Sequence, residues 1–167
     1  MYKRQEDTLT LVDRIKHHTV TSLSTIEITS LNADKVISEF GNYFSESISN
    51  PKGEYKSYIV KAENGKDKLS SLMAFLDKQK IAYGKIASTK KVKAFDYIKN
   101  EDVSVSVSEE DLVISTYQSK SNLLNALFEP ETKLADSVTY DITAWALPYS
   151  WGLKAFASPQ KLEVNKD

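Results

Sequence analysis

The hydrophobic period of this chain changes at Pro51-Lys52-Gly53-Glu54, and that change limits the available folds more than any other feature. Ahead of it, Leu9, Leu11, Val12, Ile15, Leu23 and Ile26 recur mostly at intervals of three and four, which predicts a helix from about Thr10 to about Ser30. Val36, Ile37, Phe40, Tyr43, Phe44 and Ile48 continue that spacing, with Asn32 expected as the N-cap of a second helix and Asp34 in its first turn. The pair reads as a helical hairpin or one kinked helix ending near Asn50-Pro51. Proline and glycine then stop the helical pattern, and a strand signal follows directly.

Beyond the boundary, Tyr58-Ile59-Val60 reads as a strand, and Asn64-Gly65-Lys66-Asp67 as a turn into an amphipathic helix carrying Leu69, Leu72, Met73 and Leu76. Ile81 to Ile86 is expected as the next strand. Strand, helix and strand make a βαβ unit, whose two strands should run parallel through a right-handed crossover. Val92 to Ile98 and Val103 to Val107 alternate at period two, which predicts an antiparallel hairpin turning at Asn100-Glu101-Asp102. Leu112-Val113-Ile114 is dense enough for a buried strand, and Ser119 to Phe128 for a helix with Leu123, Leu124, Leu127 and Phe128 inward. Leu153 to Ala157 is the last expected strand, and the polar tail from Pro159 to Asp167 is expected to fray.

Composition narrows the chemistry. The 167 residues carry a net charge of -1 with dispersed lysines, so no nucleic-acid or membrane-surface partner is expected. No apolar run approaches the roughly 18 residues of a membrane span. There is no cysteine, which excludes thiolate catalysis and cysteine-based metal sites. His17 and His18 are adjacent and therefore diverge by about 100° on a helix, so they cannot chelate one metal as an i, i+4 pair could. No metal or other cofactor is expected in this chain. Neither a G-x-S-x-G turn nor a glycine-rich phosphate loop occurs, and Glu109-Glu110-Asp111 and Glu129 with Glu131 read as turn and cap residues rather than acid/base couples.

The most unusual composition lies in Tyr140 to Gly152, which holds both tryptophans, two tyrosines, a proline and a glycine. Asp141 is expected to cap a short helix, with Trp145 and Tyr149 on one face and Pro148 ending or bending it. Tyr140, Asp141, Trp145, Tyr149 and Trp151 are the candidate ligand or interdomain surface. One reading is an aromatic platform for a peptide or glycan. The favoured reading is a plug that locks the last helix to the sheet, because such residues bury large apolar areas.

Two stretches carry a family resemblance. Asp7 to His18, running into Thr21 to Glu27, resembles the end of the catalytic domain in bacterial zinc metallocarboxypeptidase-like proteins of the carboxypeptidase A superfamily. Leu112 to Gln118, Leu127 to Pro130 and Tyr140 to Pro148 resemble the accessory region that follows that domain in the same proteins. The resemblance implies a parent that binds zinc through a His-x-x-Glu pair and a later histidine, and activates water with a glutamate. Those ligands and that glutamate would precede Asp7, so no catalytic residue carries over to this chain. It also implies an exported or periplasmic protein.

The resulting expectations are specific. Residues 1–6 read as a non-native leader, 7–50 as terminal helices of the peptidase domain, 55–158 as an α/β accessory domain and 159–167 as a tail. The expected fold is α/β, with a helical segment followed by a mainly parallel three-layer sheet, flavodoxin-like or amidotransferase-like, with an inserted antiparallel hairpin. The expected role is non-catalytic support of the preceding peptidase domain, with self-association through the exposed helical face when that partner is missing.

Overall fold

The computed structural model describes residues 2–4, 7–131 and 146–165. The chain forms two compact units, Met1–Tyr43 and Phe44–Asp167. In the first, strands β1 (Tyr2–Arg4) and β2 (Asp7–Leu9) pair antiparallel, with Lys3 opposite Thr8. Helix α1 (Leu11–Leu31) starts at a reciprocal capping box: Thr10 Oγ1 accepts the Asp13 N–H, and the Asp13 carboxylate accepts the Thr10 N–H. None of its 21 residues is buried.

Helix α2 (Ala33–Ser49) follows after a single interrupting residue. Asn32, expected as the N-cap of α2, instead closes α1. Its backbone and side-chain N–H groups both donate to the Ile28 carbonyl, at 3.1 and 2.8 Å. Asparagine suits that end because its short amide reaches back four residues. The Val36 N–H then donates to Asn32 O at 3.0 Å, so helical hydrogen bonding resumes at once.

The second unit is built on five strands: β3 (Ser57–Val60), β4 (Lys90–Asp96), β5 (Glu101–Val107), β6 (Leu112–Ser115) and β7 (Ala155–Ser158). Their spatial order is β5-β4-β7-β3-β6, and every pairing is antiparallel. The expected mainly parallel, flavodoxin-like or amidotransferase-like sheet is therefore wrong. The error has a physical source. Tyr58-Ile59-Val60 and Leu112-Val113-Ile114 are buried on both faces, and continuous apolar runs are the signature of parallel strands. Here antiparallel strands carry them, β3 inside the sheet and β6 at an edge where Gly84 bridges Val113.

The βαβ unit fails at its second strand. Ile81 packs among the helices, whereas Ile86 packs on the opposite face, so this segment crosses over the sheet edge. It makes two isolated antiparallel bridges, Gly84 with Val113 and Lys85 with Asn165.

Helices α3 (Lys66–Gln79), α4 (Ser121–Phe128) and α5 (Leu147–Ser150) all lie on one face. Leu72, Leu76, Leu124 and Phe128 meet Tyr58, Val60, Ile114 and Ala157 there. On the other face Ile59, Val92, Val113 and Phe156 are covered by Ile86, Leu162 and Val164. The arrangement has two layers rather than three, and the tail expected to fray instead forms part of the core. Leu162 is buried, and Asn165 bridges Lys85 in both directions, at 2.8 and 3.2 Å.

The hairpin is confirmed as β4–β5, with Val92 opposite Val105. It turns at Tyr97–Asn100 rather than at Asn100–Asp102, because Asp96 Oδ1 accepts the Ile98 and Lys99 N–H groups and Asn100 takes φ 56°. Only Ser108–Asp111 then links β5 at one edge to β6 at the other. Four strand spacings of about 4.8 Å are about 19 Å in a flat sheet. Five peptide links stretch to at most about 18 Å, and these are folded into a turn with Asp111 N–H on Ser108 O at 3.2 Å. The sheet must curl to bring its edges together.

Candidate functional site

The aromatic stretch is only partly described. Tyr140, Asp141 and Trp145 lie outside the described residues, as does the expected cap by Asp141. Tyr149 and Trp151 are described, and α5 sends them to different partners. Trp151 is half-buried with its ring edge-on to Phe75 of α3, 5.9 Å between centroids. Tyr149 is edge-on to Tyr97 at 5.2 Å and keeps one side toward solvent. Pro148 does not end this helix. It sits in the first turn, where its missing N–H costs nothing, and it is buried. Gly152 at φ 57° turns the chain toward β7, and Lys68 Nζ caps the carbonyls of Trp151 and Gly152 at 3.3 and 3.0 Å.

Tyr149 continues a chain of rings through Tyr97, Phe95, Tyr55, Tyr58 and Phe128. The Tyr97 hydroxyl donates to the Phe128 carbonyl, and the Tyr58 hydroxyl to Asn125 Oδ1 at 3.1 Å. Asn125 Nδ2 in turn donates to Lys52 O at 2.6 Å, tying α4 to the segment before β3. Burial raises the pKa of all four tyrosines, with nearby carboxylates adding to it; Tyr55 is pushed up to about 12. Tyr58 and Tyr97 are neutral hydrogen-bonding groups in the core.

The described residues of the second unit include two recesses. One, about 340 Å³, lies between α3 and β6 with Leu69, Met73 and Leu112 as floor and Lys66, Lys85 and Glu110 at the rim. The other, about 200 Å³, is lined by Tyr83, Tyr117, Gln118, Lys161 and Leu162 among others. Gln118 is already committed there, exchanging bonds with Ala82 N and O at 2.7 and 2.9 Å. Among the described residues, no three histidine, aspartate or glutamate side chains are placed to hold a metal, and no helix is long and apolar enough to cross a membrane. His17 and His18 are both exposed on α1.

The sequence reading missed one polar arrangement. Asp111 does cap its own turn, accepting the Ser108 N–H at 2.8 Å, but it also accepts Ala62 N–H at 2.9 Å and the Lys61 ammonium. Burial would push its carboxyl up, yet those three donors outweigh burial and hold it below the usual range. Only the third carboxylate in Glu109-Glu110-Asp111 is buried, and nothing local distinguishes it.

Among the described residues, α1 and α2 carry many exposed apolar side chains. Leu11, Val12, Ile15, Val20, Leu23, Ile26, Ile28 and Leu31 of α1 are 56% to 75% exposed. Ile37, Phe40 and Ile48 of α2 are also more than half exposed.

Comparisons with protein-family models, with characterised proteins and with solved structures found no match.

Proposed function

We propose that this chain is a non-catalytic accessory segment of a zinc metallocarboxypeptidase-like protein, which docks through α1 and α2 on the preceding peptidase domain and supports it. In this reading it contributes no catalytic residue and no metal ligand. The observation that carries it is the contrast between the two units. The sheet unit buries apolar side chains on both faces, whereas α1 buries none. Isolated helices are marginal in water and most helical stability comes from packing. Eight exposed side chains, each contributing about 1.5–3 kcal/mol on full burial, supply ample drive for docking. The family resemblance of Asp7 to Glu27 supports the identity of the partner. Without that partner the same surface drives self-association.

The test mixes the 167-residue chain with a separately produced catalytic domain of that class. A one-to-one complex in analytical ultracentrifugation, lost in Ile37→Asp, is expected, with no peptidase turnover by the chain alone. Absence of any complex, or turnover or stoichiometric tightly held metal in the purified chain, overturns the proposal.

A further inference from the structure

Around α3 the side chains grade from core to solvent. At about 100° per residue, Leu72 and Leu76 come first and are fully buried, Leu69 and Met73 follow half-buried on the flank, and Lys66 and Ser70 come next, exposed. That flank lies beside β6, the edge strand, and the gap between them is the recess of about 340 Å³ floored by Leu69, Met73 and Leu112. Ligand pockets run from about 300 to 1,000 Å³, so this one has room for a small molecule. Its floor is apolar, and the unbranched thioether of Met73 can adapt to whatever lies against it.

The charges at the rim select what that molecule carries. Lys66 comes from α3, Lys85 from the segment that crosses the sheet edge, and Glu110 from the link before β6. Among the described residues, neither ammonium has a hydrogen-bond or ion-pair partner, and neither pairs with Glu110 although all three line one recess. Lys61, Lys154 and Lys161 behave differently, each holding a carboxylate. Two uncommitted cations against one carboxylate leave the rim net positive above an apolar floor.

We infer that this recess is a binding site for a small amphiphilic anion, a short aliphatic or aromatic acid whose apolar body lies on Leu69, Met73 and Leu112 and whose carboxylate meets Lys66 and Lys85. The site lies wholly within the sheet unit, so it stands independently of docking through α1 and α2.

The chain has two methionines, Met1 and Met73, so labelling with methyl-carbon-13 methionine gives one reporter on the recess floor and one control. Decanoate titrated into the full chain should shift the Met73 methyl resonance to saturation, with a Kd of about 0.1–1 mM for a ligand of this size. The Met1 resonance should stay in place. Each methylene removed from the acid should weaken binding by up to about fourfold. Lys66→Gln and Lys85→Gln should each weaken it by about two- to fivefold, and Glu110→Gln should tighten it by about twofold. All three positions are exposed, so these variants leave the core untouched. Equal affinity for decyltrimethylammonium, or an unchanged Kd in both lysine variants, overturns the choice of an anion. A Met73 shift that does not saturate, or that Met1 follows in proportion, overturns the site. A shift produced by phosphatidylglycerol vesicles and not by decanoate assigns the recess to a membrane surface and overturns the small-molecule reading.

Discussion

The Asp111 carboxylate takes the Lys61 ammonium at the corner where β5 turns into β6. Lys61 also donates to Ser106 O at 2.9 Å, so one side chain beyond β3 ties together the link that joins the two edges of the sheet. The pair lies where curling is greatest in demand, and its removal should loosen the curl rather than any single strand.

Lys61→Met leaves a buried carboxylate without its main partner, which costs about 3 kcal/mol. Urea denaturation followed by far-UV circular dichroism measures it. The pH dependence has a defined sign. The folded pKa of Asp111 lies below its unfolded value, so its contribution is present above an unfolded pKa of about 3.9 and is lost as pH falls through the folded value. The stability gap between wild type and Asp111→Asn should therefore be flat from about pH 5 to 8 and narrow below about pH 4.

Gly84→Ala should undock the C-terminal segment. A Cβ there lies 2.1 Å from Asn165 O and 2.7 Å from Val164 Cγ1, and the first of these is backbone that cannot rotate away. Hydrogen exchange at the Asn165 N–H, which donates to Lys85 O at 2.8 Å, should accelerate strongly. The stability loss should be about 1–3 kcal/mol.

Tyr97→Phe removes the donor to the Phe128 carbonyl and leaves that buried acceptor unpaired, costing about 1–3 kcal/mol. Because burial raises the folded pKa of Tyr58 and Tyr97, the stability they confer is complete below an unfolded value of about 10 and is lost as pH rises above it. An ultraviolet titration of the chain should show these phenols ionising only together with alkaline unfolding.

Trp145→Phe leaves Trp151 as the sole tryptophan. Packed against Phe75, it should emit to the blue of free tryptophan and not respond to added peptides or glycans. Trp151→Ala should destabilise by about 2 kcal/mol, less than for a fully buried ring because the indole is half-buried.

Local periodicity was sufficient for most elements. The stripe of Leu69, Leu72, Met73 and Leu76 became α3, the alternation of Val103, Val105 and Val107 became β5, and the change of period at Pro51 became the end of α2. Of the candidate aromatic surface, the sequence marked Tyr149 and Trp151 by composition, but their contacts with Tyr97 and Phe75 come from residues 52 and 76 positions earlier and have no local signal.

What the sequence determined by itself was most of the helices and strands, though neither the strand expected at 81–86 nor β1 and β2, and that α1 carries more apolar surface than it can hide; both follow from side-chain spacing over one or two turns. Strand direction, sheet order and the use of the tail were decided by tertiary structure alone. A run such as Tyr58-Ile59-Val60 states that both faces are covered, but not by what. The faces are covered by Leu72, Leu76, Leu124 and Phe128 on one side and by Ile86, Leu162 and Val164 on the other, while β6 and β7 flank the strand through pairings of more than fifty residues' separation; no local pattern encodes these partners.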